Sequence, residues 1–132
     1  MAGVDKPISL GRGWTPLYVT VCLTPKAWRK AIKGRRKEAP KYPAELHASC
    51  THFPAKGDMG PLSIITVSEQ YLKTAESANI LNLLTHEAVH VKQRAEELMG
   101  TTFDHETEAY FVQGVAWHSW LGVERVLKKA GK

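Results

Sequence analysis

Cysteine is scarce: Cys22 and Cys50 are the only two in 132 residues, and no C-x-x-C spacing joins them. That argues against a disulfide framework, and both read as small core residues in a reducing compartment. Long apolar runs are missing too. None approaches the ~20 residues needed to span a bilayer, and the opening MAGVDKPISLGRGW lacks the apolar stretch of a secretory signal. These absences predict a cytoplasmic protein with no membrane segment. There is no repeat and no low-complexity tract, and the length suits one domain covering 1–132. Acid is short in one place: residues 26–41, KAWRKAIKGRRKEAPK, hold eight of the eighteen Lys and Arg against Glu38 alone. That segment carries +7 of a net +5, leaving −2 for the rest. Such a patch can draw nucleic acid or an acidic partner through counterion release, although a run of this kind is more often a solvated helix end and loop.

What is present reads as strands followed by helices. WTPLYVTVCLT, residues 14–24, alternates β-branched and aromatic side chains and predicts a strand. Thr24 and Pro25 then suit the cap and first position of a short basic helix ending at Gly34. Residues 45–53 and 62–70 predict two more strands around the turn PAKGDMGP. From Ser77 to Met99 the apolar residues recur at steps of three and four, and Gly100 stops the pattern. Asp104 is a good cap for a second long helix to about Lys129. The predicted fold class is α+β: a small antiparallel sheet followed by two long antiparallel helices.

On the first long helix, LLTHEAVHVKQ contains His86-Glu87-x-x-His90. At about 100° per residue the two histidines lie about 40° apart and one turn apart in height, so two imidazole nitrogens can reach one ion. Glu87, about 100° round from His86, is placed to act as a base on a water rather than as a natural third ligand. The spacing suits Zn²⁺, which with three protein ligands keeps a position for water and lowers its pKa toward ~7. The competing reading makes both histidines polar members at the edge of an amphipathic helix.

A third ligand is sought in DHETEAYFVQ, residues 104–113. With Glu106 set at 0°, the apolar residues of the second helix fill an arc from about 240° through 0° to 60°. Glu106 falls inside that arc, where a carboxylate is costly unless a cation meets it. Glu108, on the border, reads as a solvated acid and stands as the alternative ligand. Tyr110 and Gln113 share the Glu106 face and could orient a histidine or donate to an oxyanion. The short connection makes the helices antiparallel neighbours, but it bounds rather than fixes the distance from His90 to Glu106.

HEAVHVKQ paired with ETEAYFVQ resembles the gluzincin metallopeptidases, and among them small zincin-like proteins of bacteriophages. The resemblance covers about residues 76–121. It implies a zincin-like fold, His86, His90 and Glu106 as zinc ligands, Glu87 as catalytic base, a peptide or protein as substrate, and a host cytoplasm as location. One departure is Tyr110, where many gluzincins carry an aspartate that orients a histidine; Tyr110 or an upstream His47 or His52 would then assist catalysis. The family's substrate-binding edge strand is expected at residues 63–69. Peptide deformylases also pair this motif with an upstream cysteine, but HASCTHF around Cys50 does not match theirs. A two-histidine, one-carboxylate set is used by non-haem iron proteins as well, which do not need Glu87 as a base. The reading from another class is a nucleic-acid- or protein-binding module that uses residues 26–41, with Trp28 among its cations and a structural or absent metal. The sequence leaves the oligomeric state open.

Overall fold

The computed structural model describes residues 4–131. Its strands are β1 (Ile8–Gly11), β2 (Tyr18–Cys22), β3 (Ala48–Phe53) and β4 (Leu62–Val67). Its helices are α1 (Pro25–Ala31), α2 (Glu69–Thr74), α3 (Ser77–Met99) and α4 (His105–Lys129). β4, Leu-Ser-Ile-Ile-Thr-Val, is buried at every position, as a strand covered on both faces must be. It is accordingly central in the order β1-β2-β4-β3.

The α+β class matches the expectation, but the sheet is mixed rather than antiparallel. β1 runs antiparallel to β2 and β3 to β4, whereas β2 and β4 are parallel. After β2 the chain passes through α1, descends along the edge as β3, and returns as β4 between the two. Of residues 63–69, expected to supply a substrate-binding edge, 63–67 instead lie in β4, an interior strand, and β3 is the edge beside it.

Alternation along the strands divides the core into two. Cys22, Phe53 and Ile64 face Trp28 and Ile32 of the α1 region. Val19, Val21, Ile65 and Val67 face Leu84 and Val91 of α3 and Val123 of α4. Across that second face, α3 lies against β3 and β4 while α4 lies against β1. The approach of α4 to β1 is close: a Cβ at Gly122 would stand 2.5 Å from Ile8 Cγ2.

Caps fix the helix ends. Thr24 Oγ1 accepts from Ala27 N–H at 3.1 Å, with Pro25 in the first turn, and Asp104 Oδ1 accepts from Thr107 N–H at 2.8 Å. Gly100 takes the left-handed conformation, φ 66°, that ends α3. Beyond it Glu96 Oε2 accepts from Phe103 N–H at 2.7 Å, while Lys92 bridges Glu96 and Glu108 at 3.0 and 2.9 Å. The two long helices are thus locked at their junction. No helix of the described residues is long and apolar enough to cross a membrane.

Candidate metal centre

The buried residues of α3 are Ile80, Leu84, Glu87, Ala88, Val91 and Ala95. Their spacing marks the stripe that meets the sheet and α4, and it includes one acid. His86 and His90 fall on the flank of that stripe. Their ring centroids are 5.0 Å apart at 73°, as one helical turn dictates. One ligand atom each from His86, Glu87 and His90 come within 4.8 Å of one another, and among the described residues no other group of three His, Cys, Asp or Glu gathers so closely.

Each side chain is distinct in its surroundings. His90 Nδ1 lies 3.1 Å from Gln93 Oε1. An amide oxygen only accepts, so Nδ1 carries the proton and Nε2 keeps its lone pair for an ion. Glu87 is 5% exposed, and its Oε2 is buried with no hydrogen-bond partner. Burial pushes its carboxyl above the usual carboxylate range, against the opposing pull of His86 and His90. A cation is chemically apt beside two imidazoles and a buried carboxylate, and His86 and His90 supply two of the nitrogen ligands Zn²⁺ takes; with Glu87 as base, no third protein ligand gathers with them among the described residues.

The edge strand completes the surroundings. Cys50, on the α3 side of β3, has its thiol pushed up to about 12, by burial first and by the charge of Glu87 second. Cys50 is not part of the group formed by His86, Glu87 and His90, in line with the mismatch to deformylases. His52 Nδ1 is 2.7 Å from Ser63 Oγ, and burial first, then the Arg94 charge, holds the ring below its usual range. His47 stacks on Tyr71 at 4.6 Å, and both line a cleft of about 530 Å³ together with His86 and Glu87. His47 and His52 therefore flank the α3 site along β3.

Glu106 and Tyr110 are not brought to it. Glu106 is exposed, and Tyr110 is 70% exposed beside a separate cavity lined by Trp14, Phe111 and His118. The expectation that Glu106 points into a buried face needs correction. The buried residues of α4, Ala116, Ser119, Val123, Val126 and Leu127, centre near 250° on the scale that sets Glu106 at 0°, so Glu106 lies about 110° away. Exposed Tyr110 and Trp117 had widened the apparent arc toward it. Position opposes it as well. α4 meets α3 through Lys92, which pairs with Glu108 and lies about 160° round α3 from His90. His90 is also nine residues, about 13 Å, before the end of α3, whereas Glu106 is in the first turn of α4. That rise was legible in the sequence. Gln93 was the residue overlooked, although its i, i+3 spacing from His90 was visible.

The basic segment divides similarly. Trp28 is buried at 3% exposure against Tyr42 and Phe53, so it is not an aromatic available among surface cations. Arg35 is buried too, donating to the carbonyls of Pro54 and Gly60. The remaining seven cations of 26–41 are exposed. No family model, curated protein or solved structure matches the chain.

Proposed function

We propose that the chain is a zinc-dependent hydrolase of peptide or amide bonds, with His86 and His90 holding the ion and Glu87 as the base. The observation that carries this reading is that the Glu87 carboxylate, with a buried and partnerless Oε2, brings a ligand oxygen within 4.8 Å of imidazole nitrogens of His86 and His90. In a helix that merely happens to contain the motif, the acid belongs on the solvated face; here the acid points inward, a costly placement that a bound cation offsets. Zn²⁺, when bound, supplies Lewis acidity toward the carbonyl oxygen.

The chain's own groups account for the rest. Gln93 holds the His90 ring in the tautomer that leaves Nε2 free. Glu87 takes a proton from the attacking water and returns it to the leaving amine, a task suited to a carboxyl whose proton affinity burial has raised. β3, the edge strand beside α3, offers its backbone to an extended peptide lying along the cleft.

Elemental analysis combined with a peptide-library assay tests the assignment. About one zinc per chain is expected in the wild type and in Glu87→Gln, none in His86→Ala, and no turnover in either variant. Full activity in Glu87→Gln sinks the mechanism, while loss of zinc in that variant makes Glu87 a ligand instead. A second reading rests on the seven exposed cations of 26–41. Salt-sensitive oligonucleotide binding that survives chelation, in a protein without turnover, would favour it.

A further inference from the structure

α4 carries more apolar surface than the protein covers. Tyr110 is 70% exposed and Trp117 52%, and both project from the face of α4 turned away from its buried residues. Around them run Glu106, Gln113, Leu121, Glu124 and Lys128, none of them buried. At about 100° per residue all seven positions fall within about 80° of one another, a straight stripe about 33 Å long.

The order of residues in that stripe is self-complementary. Reversed about Trp117, position 106 falls on 128, 110 on 124 and 113 on 121. An antiparallel copy therefore sets the Glu106 carboxylate against the Lys128 ammonium at both ends, the Tyr110 hydroxyl against the Glu124 carboxylate, and the Gln113 stem against Leu121. The Trp117 rings meet each other on the axis. A parallel copy would oppose Glu106 to Glu106 and Lys128 to Lys128, which is repulsive. We propose that this stripe is a homodimer interface, in which α4 packs antiparallel on α4 of a second copy about a two-fold axis through Trp117. The pairing is isologous, each contact occurring twice, as closed dimers require. Lys128 already lies 3.6 Å from Glu124 Oε1 one turn back, so an incoming Glu106 joins a cation whose side chain is directed along the stripe. The cluster of exposed Tyr and Trp is also the side-chain chemistry enriched where interfaces concentrate their energy.

Sedimentation equilibrium over a range of concentrations tests the interface, with circular dichroism to verify folding. The wild type is expected to be a dimer. Trp117→Glu, at an exposed position, is expected to stay folded and to weaken the dimer at least about thirtyfold. Glu106→Lys and Lys128→Glu should each weaken it several-fold, and the double exchange should restore it. A wild type that is monomeric throughout, or a folded Trp117→Glu that dimerises undiminished, overturns the interface. Two weakened single exchanges with no recovery in the double variant overturn the antiparallel register.

Discussion

α3 and α4 are the two halves of one hairpin, 23 and 25 residues long, and the largest departure of each from the rule that apolar faces are buried and polar faces wet is of a different kind. α3 draws a carboxylate into its buried stripe, whereas α4 buries only the small hydroxyl of Ser119 and leaves a tyrosine and a tryptophan outside its own. Inward polar residues cost free energy unless something of opposite charge meets them, so α3's exception points to a small cationic ligand. Outward aromatics lose little by being wet and gain by being covered, so α4's exception points to a macromolecular surface.

The sharpest way to break this contrast is to place the same charge on both faces of α4. Val123→Asp puts an unpaired carboxylate at a position with no exposure and should cost more than about 4 kcal/mol, enough to unfold much of the protein. Tyr110→Asp, measured dilute enough to keep the chain monomeric, should stay within about 0.5 kcal/mol of the wild type in urea unfolding. Similar losses at the two positions would mean that α4's outer face is covered within the chain itself.

On α3 the corresponding substitution runs the other way. Glu87→Leu removes the orphaned oxygen and should stabilise the metal-free protein by about 1–2 kcal/mol, seen as a rise of a few degrees in Tm, while abolishing turnover. Destabilisation would show that Glu87 is a structural rather than a functional acid.

The smallest expected effect concerns the junction of the two helices. Glu96 accepts from Phe103 N–H and pairs with Lys92, which hold its carboxyl below the usual range, the reverse of Glu87 on the same helix. A depressed folded-state pKa gives stability that is present above the unfolded carboxylate value and is lost as pH falls through the folded one. The difference in urea midpoint between wild type and Glu96→Gln should therefore be present at neutral pH and shrink as the solution is acidified through the carboxylate range. A pH-independent difference would assign the lock to packing alone.

The elements legible in the sequence were those with strong local signals. α3 runs from Ser77 to Met99 as its periodicity and Gly100 predicted, and α4 follows the Asp104 cap. β1 was not anticipated, because four residues ending in glycine carry too little alternation to register. α2 was partly absorbed into the preceding strand, although Ser68 caps it by accepting from Tyr71 N–H at 3.0 Å. The parallel pairing of β2 with β4 depends on how the intervening chain crosses the sheet, which no local pattern states. At the site, His86, Glu87 and His90 were legible because one helix carries all three and its geometry sets their spacing. The exclusion of Glu106 was legible only in part: the rise from His90 to the end of α3 could be read, but how the two helices are turned toward each other could not. Helical arithmetic on α4 alone could not separate aromatics facing a core from aromatics facing outward.

His86 stands nine residues after the first residue of α3 and His90 nine residues before the last. Helix ends open and close readily, and the opening that reaches furthest inward is the rarest. Two and a half turns therefore insulate each imidazole from the nearer end, and the turn between them should show the slowest amide exchange in the helix. Their separation is held by the part of α3 furthest from either end, the part that opens least.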